Sequence, residues 1–167
     1  MNAVNPLLSG SQEIGKLQVN VTSQDTSYPI PDATISISYT GVPDSTLEQL
    51  STDSSGQTPT IDLAAPPLEY SLNEDNEQQP YAEYTIQADA PGYESVSVAG
   101  AEILPAVTAL QNIRMRPLRP ASPQEEVFVI PAHTLYGSYP AKIPESEIKP
   151  VTETGEIVLS RVVVPEY

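Results

Sequence analysis

The sequence predicts an all-β fold: an antiparallel two-sheet sandwich followed by an extended, proline-rich arm. Three observations carry this. About seven short runs alternate apolar and polar residues and are separated by Gly, Pro, Asn, Asp and Ser. Eighteen Pro in 167 residues, with nine Tyr, one Phe and no Trp, suit short strands and loops better than a helical bundle, and no helical window is predicted. After Pro120 the regular alternation stops and prolines punctuate the chain.

Taken in order, residues 1–14 read as a flexible lead-in with Leu7 and Leu8 as its apolar anchors. From Gly15, Leu17, Val19 and Val21 fall on one face and Lys16, Gln18 and Asn20 on the other, the period of a half-buried strand. Tyr28 to Asp32 form a proline-stiffened connection into a second strand, whose inward residues are Ala33, Ile35, Ile37 and Tyr39. Thr40 to Ser51 read as a loop. Thr52 to Gly56 form a compact turn in which Asp53 bonds the backbone ahead of it, and Gln57 to Leu63 a short third strand. Ala64 to Pro80 read as an exposed loop with an acidic centre, Asn73 to Glu77.

Tyr84, Ile86 and Ala88 then alternate with Thr85 and Gln87 in a strand that Pro91-Gly92 ends. Pro presets the second position of a β-turn, and Gly accepts the positive φ of the third position of a type II turn. Ser95 to Val98, a break at Gly100, Ala101 to Leu104 and Val107 to Met115 complete the pattern, the last with Ile113 and Met115 on one face and Arg114 and Arg116 on the other.

The domain boundaries that follow are 15–119 for the sandwich, 120–126 for a linker and 127–167 for the arm. Pro131, Pro140, Pro144, Pro150 and Pro165 forbid a helix of ordinary length in the arm, leaving two strand-capable runs, Val127-Phe128-Val129-Ile130 and Ile157 to Val164. Strand-capable segments with unpaired edges complete sheets, so these runs, with Ile157, Leu159 and Val163 as their apolar anchors, are candidate partner-binding residues.

Gly15-Lys16-Leu17, Pro29-Ile30 with Ala33, Thr52-Asp53 with Gly56, and Tyr84 with Ile86 followed by Pro91-Gly92-Tyr93 together resemble the carboxypeptidase-regulatory-like, transthyretin-like domain over 15–118. The resemblance implies a Greek-key sandwich acting as a binding, spacing or stabilising module, with no catalytic residues to carry over. Residues 127–150, with Val129-Ile130-Pro131 and His133-Thr134-Leu135 leading to Tyr139-Pro140 and Lys142-Ile143-Pro144-Glu145, resemble the segment after the N-terminal sandwich of clostridial spore cortex-lytic-type proteins; Val163-Val164-Pro165-Glu166-Tyr167 matches their junction to a cell-wall-acting domain. That resemblance implies a spore-envelope or extracytoplasmic setting and, as partner, a peptidoglycan-processing protein or a following cell-wall-acting domain. The matching region in that family is non-catalytic.

Composition excludes some functions. With 22 acidic and 7 basic residues the net charge is −15, which repels phosphate backbones and anionic lipid, so neither nucleic acid nor membrane is an expected partner. The absence of Cys removes disulfides, thiolate metal sites and Cys nucleophiles. The first residues carry neither a basic n-region nor a long apolar run, so no signal peptide is expected there.

Individual side chains point to little chemistry. His133 is the only histidine and no Ser sits in a Gly-x-Ser-x-Gly elbow, so His133 reads as an arm-packing or partner-contacting residue. Glycoside hydrolysis needs two carboxylates across a cleft, and Glu125, Glu126, Glu145 and Glu147 are present in the linker and arm, but they read as a solvated surface. The 73–77 cluster lacks the Gly and distal Glu of an EF-hand, so no metal and no cofactor is expected. An intramolecular Lys amide cross-link, as in a surface spacer or adhesin module, would need an inward Lys; Lys16 alternates outward. Arg114, Arg116 and Arg119 form the one basic cluster and read as surface ion-pair formers. Tyr136 and Tyr139 offer faces for sugar stacking or partner packing, which makes peptidoglycan a further possible ligand. The sequence therefore leads to a non-enzymatic accessory module, with a surface spacer and a carbohydrate-binding module as rivals.

Overall fold

Eight strands and one turn of helix make up the computed structural model, which describes residues 12–42, 45–120 and 125–131. The strands are β1 (Glu13–Ser23), β2 (Thr34–Tyr39), β3 (Thr46–Ser51), β4 (Ile61–Ala65), β5 (Ala82–Asp89), β6 (Ser95–Ile103), β7 (Thr108–Met115) and β8 (Glu125–Val129); the helix, α1, is Glu69–Leu72. They form two sheets, β4-β1-β7 and β3-β2-β5-β6-β8. The all-β sandwich expected from the sequence is present. Its pairing is mixed, however: β1 with β7 and β6 with β8 run parallel, and the other pairs are antiparallel.

Alternation decides which side chains meet between the sheets. Leu17, Val19 and Val21 of β1, Ile35, Ile37 and Tyr39 of β2, Tyr84, Ile86 and Ala88 of β5, and Ile113 and Met115 of β7 are all buried in one core. Each buried Ile or Leu contributes about 1.5–3 kcal/mol relative to an exposed one, so this layer dominates the stability of the sandwich. Two buried threonines fasten connections to it. Thr52 Oγ1 donates to Ile30 O at 2.6 Å and accepts from Ala33 N at 2.9 Å, which fixes the entry to β2. Thr58 Oγ1 accepts from Val19 N at 2.9 Å and supplies the partner that β1 lacks beyond the end of β4.

The expected turns form. Asp53 Oδ1 accepts from Ser55 N at 2.8 Å and Gln57 N at 3.1 Å. At the β5–β6 corner Tyr93 N donates to Ala90 O at 3.1 Å, and Gly92 takes φ +82°.

Several expectations are corrected. The stretch read as a loop from Thr40 contains β3, an edge strand paired with β2. A bulge between Ile37 and Ser38 leaves Leu47 without an opposite residue, so Leu47 and Leu50, the two partly buried residues of β3, are three apart instead of two, and the period-2 signal is lost. The strand expected at 57–63 is β4, which begins later, at Ile61, with Gln57 making only an isolated bridge to Asn20. The lead-in ends at residue 12, because Glu13 and Ile14 already pair with β4. The acidic loop carries α1 ahead of it. Asn73 and Asn76 hold the loop's shape by accepting from Asp75 N and Gln78 N.

Gly100 does not end a strand. It sits inside β6 with φ +84°, where the register with β5 shifts, and an added Cβ would lie 2.7 Å from Ile130 O. The strand continues through this bulge because only glycine accepts that backbone at no steric cost.

The largest correction concerns the start of the arm. Glu125 and Glu126, assigned to the linker, and Val127 to Val129, assigned to the arm, form β8 and pair with Ser95 to Ala99 of the chain's own β6. Ile130 N then donates to Ala99 O at 2.8 Å. These residues complete the chain's own five-stranded sheet.

Candidate functional site

The two sheets part along one side of the sandwich, between the edge strands β3 and β4, and enclose an open cleft of about 470 Å³. Tyr39 at the end of β2 and Tyr84 on the neighbouring β5 form its floor. Their rings lie 5.2 Å apart at 31°. Tyr84 Oη donates to Ala64 O at 2.6 Å and so ties the floor to β4 across the sheets. Burial pushes the Tyr84 phenol well above its ordinary value, and burial likewise raises Tyr39, partly offset by its hydrogen bond with Tyr84. The floor is therefore uncharged at any physiological pH. Leu47 and Leu63 supply apolar walls.

The charge of the cleft comes from carboxylates. Glu13 shares the inner face of its sheet with Gly15 and Leu17, and Glu48 stands opposite Ile37, on the inner face of the other sheet. Both are exposed into the opening, and among the described residues neither takes part in an ion pair. Asp62, also on the rim, pairs with Lys16 at 2.7 Å. Lys16 is thus on the solvent face, as its alternation requires.

A second group of charges lies at the opposite end of β6. Arg116 Nη1 is 3.1 Å from Glu126 Oε1, with the Glu126 side chain 5% exposed. Glu126 was expected on a solvated surface; it is buried because parallel pairing opposite Val96 turns it inward. Arg116 was expected on an exposed face and is half-buried beside it, whereas Arg119 pairs with Asp25 at 3.2 Å on the surface. Glu94 is 1% exposed, and neither of its carboxylate oxygens has a hydrogen-bond partner among the described residues.

Of the candidate partner-binding residues, Val127, Phe128, Val129 and Ile130 are brought together on β8 and its end, with Phe128 and Ile130 packed against the core. They complete the chain's own sheet, with Val127, Phe128 and Ile130 still partly exposed. His133, Tyr136, Tyr139, Ile157, Leu159 and Val163 lie outside the described residues. The cleft residues were missed by sequence reasoning: Tyr39 and Tyr84 read correctly as inward, but Glu13 lay in the lead-in and Glu48 in a loop. An inward-phase carboxylate on a short edge strand was the available signal, and the bulge at Leu47 hid it.

Fold and cleft together define an all-β sandwich domain with an acidic, tyrosine-floored lateral groove. No protein-family model and no curated protein matches the sequence. Solved structures similar to it include GBS52, the minor pilin of Streptococcus agalactiae, at 15% identity and a TM-score of 0.43, covering 67% of this chain and 48% of that one. The Bacillus anthracis TIE protein aligns at 12% identity and a TM-score of 0.43, covering 64% of this chain and 17% of that one. Klebsiella pneumoniae 5-hydroxyisourate hydrolase aligns at 15% identity and a TM-score of 0.42, covering 63% of this chain and 92% of that one. The chain thus spans less than half of the pilin and of the TIE protein. A pilin and an enzyme both appear among these structures.

Proposed function

We propose that the chain is a non-catalytic accessory module that docks on, and holds or restrains, a peptidoglycan-processing partner or domain. The observation that supports the docking part is the cleft: an apolar, neutral floor beneath two carboxylates that take part in no ion pair among the described residues, open between two sheet edges, has the shape and chemistry to suit an extended partner segment. A glycosidase's general acid sits in an apolar pocket, whereas Glu13 and Glu48 are both exposed. The cell-wall setting, in the spore envelope, rests on the similarity of 127–150 and 163–167 to the clostridial cortex-lytic-type proteins.

The test is a reconstitution with the full chain, alone on protein-free cortex peptidoglycan and together with the hydrolase that cross-linking in cells ties to it. The expected result is no muropeptide release by the chain alone and a changed rate for the hydrolase. Muropeptides released by the purified chain would overturn the reading. Tight pelleting with bare peptidoglycan would replace it with carbohydrate binding, and cross-links to surface-layer proteins alone would favour a structural spacer.

A further inference from the structure

The cleft also defines what kind of segment it takes, an inference that rests on the docking role proposed above. β3 is the last strand of its sheet, so its outer edge presents backbone N–H and C=O groups unpaired among the described residues. A strand added there would extend the five-stranded sheet over the opening, and alternate side chains of that strand would point between the sheets. They would meet Leu47 and the Tyr39 ring first and the Glu13 and Glu48 carboxylates beside them.

An apolar inward side chain would strip water from those carboxylates and leave them uncompensated, a large cost for a charge. A Lys or Arg side chain avoids that cost: its stem packs on the apolar floor and its head reaches the carboxylates. We propose that the β3 edge and the Glu13/Glu48 cleft bind an extended segment of a different protein, with a Lys or Arg at an inward position flanked by β-branched residues.

Charge favours a foreign occupant. A second copy of this chain would bring another −15 to an already acidic opening. Residues 1–11 contain no Lys or Arg, and residues 132–167 hold three basic residues, Lys142, Lys149 and Arg161, against five acidic ones; the run 157–164, with Arg161, is the rival occupant within this chain, tested below. A basic foreign strand is the complementary ligand.

The probe is a capped hexapeptide, Thr-Val-Lys-Val-Thr-Val, titrated into the isotopically labelled full chain and followed by backbone amide shifts. Its control carries Glu in place of Lys. The lysine peptide should bind at least about tenfold more tightly than the control, weaken several-fold between low and physiological salt, and weaken about tenfold in the double variant Glu13→Gln, Glu48→Gln. Shifts should map to β3 and to Tyr39. Both substitutions are on exposed side chains, so an unchanged thermal midpoint certifies the fold.

Equal affinity for the two peptides, insensitivity to the double substitution, or shifts confined to another face would overturn the proposal. Nuclear Overhauser contacts from the Tyr39 ring to residues 1–11 or 132–167 would give the cleft to this chain itself, and concentration-dependent shifts without peptide would give it to a second copy; either overturns a foreign ligand. Failure of this titration leaves the accessory role standing, because that role is judged by muropeptide release and by its effect on the hydrolase.

Discussion

Two buried side chains have measurable consequences at the scale of single residues. Glu94 is enclosed at the start of β6 with no hydrogen-bond partner for its carboxylate among the described residues. A well-packed apolar replacement removes that desolvation cost, so Glu94→Met should raise stability by about 1–3 kcal/mol. Urea denaturation checks this. A destabilised variant would show that the carboxylate is satisfied by groups beyond those described.

Tyr84 makes the complementary case. Its folded-state pKa is raised above the ordinary value of 10.0. The folded state therefore keeps the proton that the unfolded chain gives up first, and stability present below pH 10 is lost as pH rises beyond it. Tyr84→Phe should cost about 1 kcal/mol at neutral pH, for the hydrogen bond to Ala64 O. It should also flatten the alkaline loss, as thermal midpoints between pH 8 and pH 11 will show. An alkaline limb as steep as that of the native chain would locate the loss elsewhere.

At the scale of elements, β8 depends on one glycine. Any side chain at position 100 must adopt φ +84° and approach Ile130 O, the first carbonyl beyond β8. Gly100→Ala should cost about 2 kcal/mol. The loss should be concentrated in β8, so that hydrogen exchange at Val127 to Ile130 speeds up more than exchange in β2 or β5. Uniform acceleration across the sheet would show that β8 opens only with the whole domain. The same geometry governs truncation: a deletion meant to remove the arm must begin after Pro131, since cutting at 127 strips a strand and bares the β6 edge.

The elements that the sequence revealed are those whose apolar residues kept strict alternation. β1, β2, β5 and the end of β7 met that condition, and their inward residues are the core. β3 failed it because its bulge spaced Leu47 and Leu50 three apart. β6 looked like two strands because a bulge glycine and a strand-ending glycine are the same letter. The short apolar run of β8 was visible, but not its destination: a run of Val-Phe-Val-Ile fits any free edge, and only tertiary pairing says whose. The site suffered most, since Glu13 and Glu48 become neighbours of one opening only after the two sheets are stacked.

At the scale of the whole molecule, the acidic composition and the sandwich act together. The charge of −15 is spread over a surface that includes Asp25, Asp62 and Glu125, so long-range repulsion of anions is general while the cleft adds a local apolar lining. For the cationic segment proposed above, steering would come from the whole molecule and discrimination from the cleft.

β1 begins at the end of the sandwich toward which β8 runs. Ile14 O accepts from Ala106 N in the β6–β7 turn, and Ile130 is anchored on Ala99, midway along β6. Tension applied through the flanking chain would then peel β8 from β6 starting at the Ile130 N–Ala99 O bond, breaking its ladder one bond at a time instead of loading all of it in shear. A sandwich threaded this way would release β8 before its core strands when pulled.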